Sequence, residues 1–410
     1  MTQGLSALRV WAAGLALVAA ACSSESGAPH AIIIGAAIAK SGPLAPIDDG
    51  PFKAMQLAVD AVNARGGLLG RPLKLVSADT KSDISYGATA AQLVIDKGAA
   101  LVVVTCDYDF GSAAANIANA RGLITFSTCA GDPKFGPRGI GPNAYTMAVS
   151  SPSEAVIMAE WAHAAGYRSA YVLLATDTAF DASFADAFKS RWIELHGAAG
   201  FYGQDTFASE DSQIATQITR LKSLPAAPDV VAVCAAPPAG VSAVRQIRAA
   251  GITQPIVGSD SWDGDFWLSG VPDLSDMYFV TYASIFGTDP RAPMQAFFNR
   301  FAARFGAPPV QSNAVTGYSV VEAWVRAVER AHSLQTDKVR AALDTFAAEP
   351  LLVGPTTFSP QSHINTLRDM VVMEITAGKQ GKVVGVFAPQ ALPPQHDVDS
   401  RTASREIQRR

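Results

Sequence analysis

Four short segments of the chain gather acids, hydroxyls and aromatic rings of the kind that hold a small polar molecule. They are Cys106-Asp107-Tyr108-Asp109-Phe110-Gly111-Ser112, Ser127-Thr128-Cys129-Ala130-Gly131-Asp132, Thr176-Asp177-Thr178-Ala179-Phe180-Asp181 and Ser259-Asp260-Ser261-Trp262-Asp263-Gly264-Asp265. Carboxylates and hydroxyls orient a ligand, and rings give it apolar walls. Each residue also has a plainer use. Asp177 and Asp181 fit helix N-caps better than ligand contacts, because a carboxylate there satisfies free N–H groups. For Asp107 and Asp109, which flank a tyrosine, capping and ligand binding both stand. Trp262 and Phe180 can pack in a core or line a cleft.

Other chemistries find little support. Asp260, Asp263 and Asp265 lack the spacing and the glycine of a calcium loop. The six histidines (His30, His163, His196, His332, His363, His396) are scattered without metal-ligand spacing. No metal or other cofactor is expected. There is no Gly-x-Ser-x-Gly elbow, no Walker loop and no Gly-x-Gly-x-x-Gly following a strand. Ser127 and Cys129 have no histidine at a matching position, so an exported enzyme ranks below a binding protein. Cys106 and Cys129 end strands expected to be neighbours, about 5 Å apart, and either a disulfide or two buried thiols is compatible with that.

The elements that must position these segments alternate strand and helix. Ile32-Ile33-Ile34-Gly35, Ala100–Thr105, Leu123–Ser127, Ala170–Ala175 and Asp229–Cys234 are short continuous apolar runs, the mark of strands buried on both faces. Helical spacing covers Phe52–Arg65, Tyr86–Lys97, Ser153–Ala165 and Asp181–His196, among others. Such β-then-α units, with few hairpin signals, predict doubly wound, mostly parallel sheets. The rhythm restarts after Val149, which implies two sheets of similar size. In such sheets ligands lie outside the carboxyl ends of the strands, where the four segments fall.

Length and composition agree with this. The 410 residues are 49 % apolar and 17 % charged, enough for a large core and unlike a disordered chain. With 32 basic against 36 acidic side chains and no basic block, nothing offers a nucleic-acid footprint. Residues 1–21 carry Arg9 and an apolar run from Val10 to Ala21, too short to span a bilayer and read as an export signal. The run ends Val18-Ala19-Ala20-Ala21-Cys22, which resembles the lipobox of bacterial lipoproteins. That resemblance implies acylation of Cys22 and a membrane-tethered exported body, with ordinary cleavage and a free thiol as the alternative. Residues 22–30 read as a linker, and the stretch 389–410 as a disordered tail.

Several blocks carry a wider resemblance: Ile34-Gly35, Ser41-Gly42-Pro43-Leu44, Gln56-Leu57-Ala58-Val59-Asp60-Ala61-Val62-Asn63-Ala64-Arg65-Gly66-Gly67, Leu69-Gly70-Arg71-Pro72-Leu73-Lys74-Leu75, Asp177-Thr178-Ala179-Phe180 and Val353-Gly354-Pro355-Thr356-Thr357-Phe358. With them the chain resembles the type I periplasmic solute-binding proteins, specifically the leucine/isoleucine/valine-binding family of ABC importers. The resemblance implies a two-lobed Venus-flytrap body with a three-strand hinge. Lobe 1 would comprise residues 31–148 plus 282–350, and lobe 2 residues 149–281 plus 351–388. Ligand would favour the closed form through contacts the open form lacks. The closed form would dock, as a monomer, on a permease served by ATPase subunits; a sensor docking on a receptor is the alternative.

For the site, the resemblance makes Asp260 the ammonium-binding acid and Phe180 a covering ring. It assigns Asp107–Gly111 and Ser127–Gly131 to the ligand carboxylate. The candidate contacts are then Asp107, Tyr108, Asp109, Phe110, Ser127, Thr128, Cys129, Gly131, Phe180, Asp260 and Trp262. The chain departs from the family where serines become Tyr108-Asp109-Phe110 and a threonine becomes Gly131. Extra acids repel a carboxylate and a lost hydroxyl removes a donor. The expectation is therefore a cationic, polyhydroxylated or amide-like molecule, or an aromatic one packed on Tyr108, Phe110 and Trp262, in place of a branched-chain amino acid.

Overall fold

The computed structural model describes residues 30–211 and 213–391. The leader, Cys22 and the tail beyond residue 391 lie outside them. The first half-chain runs β1 (Ile32–Ile38), α1 (Ala45–Ala64), β2 (Leu73–Asp79), α2 (Ile84–Asp96), β3 (Ala99–Val104), α3 (Tyr108–Ala120), β4 (Ile124–Ser127) and β5 (Ala144–Thr146). Then come α4 (Ser151–Ala164), β6 (Ala170–Ala175), α5 (Ala179–His196), β7 (Phe201–Phe207), α6 (Ala215–Lys222), β8 (Val230–Cys234), α7 (Ala239–Ala249), β9 (Ile256–Gly258) and β10 (Met277–Thr281). The chain closes with α8 (Ala292–Phe305), α9 (Ala314–Ala331), α10 (Thr336–Leu343), β11 (Glu349–Leu351), β12 (Gly354–Thr356), β13 (Met370–Thr376) and β14 (Lys379–Phe387).

Two sheets organise the body. The first has the order β2-β1-β3-β4-β5 with every pairing parallel. The second has the order β14-β13-β10-β9-β8-β6-β7. Its stretch from β7 to β10 repeats the order of the first sheet and is parallel, while β13 and β14 add an antiparallel edge. Both lobes are thus doubly wound in the same way, and each has a switch point beside its first strand. The second sheet is larger than the sequence implied, because β7 and β14 at its two edges carry no continuous apolar run.

Apolar faces explain the layering. Strands β3 (Ala-Ala-Leu-Val-Val-Val), β6 (Ala-Tyr-Val-Leu-Leu-Ala) and β8 (Val-Val-Ala-Val-Cys) lie in sheet interiors and are buried on both sides. Helices α1 and α9 pack together on the first sheet, whereas α4 and α5 cover the second. The chain crosses between lobes after β5, after β10 and between β12 and β13. Two of these crossings are laced together where Val149 bridges Asn365 and the Arg368 guanidinium donates to the Met147 carbonyl at 2.7 Å. Helix α9 packs against α1 of the first lobe, and β13–β14 join the second sheet.

Candidate functional site

A cavity of about 180 Å³ lies between the lobes, many times the space of one water. Its walls are built almost entirely from residues that follow parallel strands. Pro43, Leu44, Pro46 and Ile47 follow β1, Cys106, Asp107 and Phe110 follow β3, and Cys129 follows β4. From the other lobe come Thr178, Phe180 and Asp181 after β6, Ala236-Pro237 after β8, Asp260, Ser261 and Asp263 after β9 and Tyr282 after β10. Gln311 and Asn313 reach in from the loop before α9, and Phe266 closes the rim. Strand ends converge here because both sheets point their carboxyl edges at the same gap.

The first lobe's tip is held by short ties. Cys106 and Cys129 form a disulfide with Cα atoms 4.9 Å apart, resolving the open choice between a bond and two thiols. Buried Asp48 accepts from Ala39 N at 2.7 Å and Cys106 N at 3.0 Å, joining the ends of β1 and β3. Asp107 sits at positive φ (83°), a conformation non-glycine residues seldom adopt, and its Oδ1 accepts from Asp109 N at 2.6 Å and Phe110 N at 3.4 Å. It is thus both the N-cap of α3 and a wall of the cavity.

The lobes touch across the cleft. Asp109 Oδ2 accepts from Ala179 N at 2.7 Å, so a first-lobe carboxylate caps the second lobe's α5. Asp263 Oδ2 accepts from Ser312 N, and the Gln311 amide donates to the Asp263 carbonyl at 3.1 Å. Deeper, at the hinge, Glu154 Oε2 accepts from Asp260 N at 3.1 Å.

Burial perturbs the acids around the cleft. Burial pushes Asp107 up to about 7, helped by the charge of Asp109, and Asp181 and Asp260 reach about 7 for the same first reason. Asp263 rises to about 6 by burial, restrained by its bonds to Ser312. Glu154 is raised by burial and by neighbouring Asp260. Among the described residues no lysine, arginine or histidine lines the cavity. The nearby Arg368 spends its donors on the Met147 and Pro355 carbonyls and the Thr356 hydroxyl.

Of the residues expected at the site, Asp107, Phe110, Cys129, Phe180 and Asp260 line the cavity. Asp109 works as the interlobe cap. Tyr108 lies with its ring under the Lys134 ammonium, 5.6 Å away. Ser127 braces its own loop by accepting from Ala130 N at 3.0 Å, and Thr128 is buried beside the disulfide. Gly131 backs the Phe180 ring; an added Cβ would fall 2.7 Å from Cε2. Trp262 departs from the expectation. Its indole is buried in the second lobe's core against Gly240 and Gly258, where the missing Cβ atoms make room. Asp181 also departs, in the other direction: Thr178 caps α5, and Asp181 projects into the cavity.

Sequence reasoning missed Gln311, Asn313, Tyr282 and Asp263 as site residues. The last two follow strands and were within reach of the strand-tip rule. Gln311 and Asn313 precede a helix and carry no such signal. His163 and His196 do meet, Nδ1 to Nε2 at 3.1 Å, at the ends of α4 and α5 away from the cleft. No group of three or more metal-ligating side chains occurs among the described residues.

Residues 31–381 match the family model described as periplasmic binding protein, and the chain belongs to that family. It is 26 % identical over 369 residues to the Leu/Ile/Val-binding protein BraC3 of Rhizobium johnstonii, covering 88 % of this chain and 97 % of that one. Among solved structures it is similar to the branched-chain amino acid binding protein LivJ of Streptococcus pneumoniae in complex with isoleucine (TM-score 0.74, 22 % identity, covering 88 % of this chain and 100 % of that one). A second is a solute-binding protein of an R. palustris ABC transporter in complex with benzoate (TM-score 0.72, 21 % identity, covering 89 % and 99 %). The fold is that of the type I periplasmic binding proteins, two lobes with mostly parallel sheets.

Proposed function

We propose that the protein is the extracytoplasmic solute-binding component of an ABC importer. It captures a small molecule in the interlobe cleft and presents the closed form to a permease with its ATPase subunits. The observation that carries this reading is the cavity's construction from strand tips of both lobes, so that a ligand bonded to one lobe is also bonded to the other. Such a ligand stabilises closure by its differential contacts, which is the signal a permease reads. Belonging to a family of solute binders supports the reading, as do the absent catalytic motifs.

Lobe 1 is assigned residues 31–148 plus 282–350 and lobe 2 residues 149–281 plus 351–388. The leader directs export, and Cys22 carries the lipid that tethers the body to the membrane. Two measurements test this. A thermal-shift screen of the purified protein against amines, amino acids, amides, polyols and aromatic acids should give a class of hits. Ligand at 100 times its dissociation constant stabilises by about 2.7 kcal/mol. Deleting the gene should abolish uptake of the same hit in cells. A hit that binds tightly while uptake is unchanged would move the protein from importer to sensor.

A further inference from the structure

We infer that the cleft takes an organic cation whose positive nitrogen carries N–H bonds, a guanidinium or primary ammonium, with no free carboxylate. This inference rests on the cleft being a solute site and narrows the ligand within it.

Among the cavity-lining residues three buried acceptor oxygens have no hydrogen-bond partner, Asp181 Oδ1, Gln311 Oε1 and Asn313 Oδ1, and the Tyr282 hydroxyl has none either. All three residues are at least nine-tenths buried. The amide orientations are fixed by what the NH2 groups do. Gln311 Nε2 donates to the Asp263 carbonyl and Asn313 Nδ2 to the Ile47 carbonyl, both at 3.1 Å, so exchanging O and N would set two acceptors face to face. The cavity therefore presents acceptors from both lobes, and a buried acceptor left unpaired is costly. A ligand rich in donors would satisfy them.

The complementary question is where an anion would sit, and at two helix N-termini beside the cavity, those of α3 and α5, the place is taken. Helix N-termini are the natural anion sites of this architecture. At α3 the free N–H groups of Asp109 and Phe110 are taken by Asp107. At α5 the N–H of Ala179 is taken by Asp109 and that of Asp181 by the Thr178 hydroxyl. At these two termini Asp107, Asp109 and the Thr178 hydroxyl occupy the N–H groups a ligand carboxylate would use. Around them stand Asp107, Asp181, Asp260 and Asp263, with Glu154 behind, Tyr282 facing Asp260, and no basic side chain in the lining. Phe110, Phe180 and Phe266 supply walls for a cation's alkyl body or its face-on contact.

Calorimetry on the purified protein tests the assignment with four probes: agmatine, which carries a guanidinium and an ammonium; tetramethylammonium, which has charge without N–H; L-isoleucine; and benzoate. Agmatine should bind, and tetramethylammonium at least about tenfold more weakly, the worth of one charge-assisted hydrogen bond. Asp181→Asn should weaken agmatine at least about tenfold while leaving the unfolding midpoint unchanged or higher, which separates lost affinity from a lost fold. Binding of isoleucine or benzoate in preference to agmatine would overturn the cation assignment and leave solute capture standing. Equal binding of agmatine and tetramethylammonium would overturn the N–H requirement. If no probe binds, the cation assignment fails. Solute capture fails as well only if a small-molecule extract of the source cells leaves the midpoint unmoved.

Discussion

Buried acids on the outer faces of the molecule and buried acids in the cleft are treated in opposite ways. Asp289 is fully buried, yet Arg291 bonds both its carboxylate oxygens and Ser284 N adds a third contact. Glu349 is held between Arg326 and Arg330, and although burial pulls it up, those bonds win and keep it below the usual carboxylate range. In the cleft, Asp107, Asp181, Asp260 and Asp263 have hydroxyls and N–H groups but no cation, and all are pushed up. A chain that provides arginines elsewhere leaves the cleft short of positive charge. The difference marks the cleft as built for a partner and the outer sites as built for stability.

The largest effect that follows is at the outer site. Asp289→Ala leaves Arg291 partly buried without its partner, which should cost about 3 kcal/mol in denaturant unfolding of the ligand-free protein. Ligand affinity should stay within about twofold, since Asp289 is no part of the cavity lining. If this substitution costs nothing, the outer pairs are not the stabilising half of the contrast.

A loss of similar size is expected from replacing both Cys106 and Cys129 by serine. The bond closes a loop with a sequence separation of 23, worth roughly 3 kcal/mol by chain entropy. Because both residues also line the cavity, this variant should lower affinity as well as stability. Comparing the two variants separates a tie that supports the site from one that supports only the fold.

Much of this was legible in the sequence, for a physical reason. Strands in the interior of a parallel sheet must be apolar on both faces, so β3, β6 and β8 announce themselves, and the residues after them are the site. Edge strands are under no such demand. In β7 (Phe-Tyr-Gly-Gln-Asp-Thr-Phe) and β14 (Lys-Gln-Gly-Lys-Val-Val-Gly-Val-Phe) polar residues other than Asp205 sit half-buried or exposed, and no run betrays them. Within the site, carboxylates after β3 and β9 were found by position alone. What position does not decide is rotation. Trp262 turns into the core because Gly240 and Gly258 leave a slot for it, and that slot comes from two other elements. Asp181 faces the cavity because Thr178, three residues earlier, has taken the cap.

In the cleft the sign reverses. Asp260→Asn removes a buried charge that has only like-charged neighbours, Asp263 and Asp181 among them, and should raise the ligand-free midpoint by an amount of the order of 1 kcal/mol. The same change should weaken a cationic ligand at least about tenfold. Stability gained together with affinity lost is the signature of a functional acid. A substitution that lowers both would return Asp260 to a structural role.

The dependence of stability on pH has a sign fixed by the direction of the shifts. Asp107, Asp181 and Asp260 ordinarily titrate near 3.8 and rise to about 7 in the fold. Below 3.8 these groups are protonated whether the chain is folded or not, and their contribution is fully present. Between 3.8 and about 7 the unfolded chain gives up these protons while the fold retains them, so ionisation favours unfolding and stability falls with rising pH. Above about 7 both states are ionised and the decline from these groups ends. Glu349, held low, works the other way at more acidic pH and is lost as pH falls through its lowered range. Thermal unfolding of the ligand-free protein at a series of pH values from 4.5 to 8 should therefore show a falling midpoint. The slope should shrink in the Asp181→Asn, Asp260→Asn double variant. A cationic ligand binds the ionised acids, so its affinity should rise over the same interval in which the empty protein weakens. A midpoint that rises with pH in the empty protein, with no change in the double variant, would show the cleft acids to be neutralised by something within the chain.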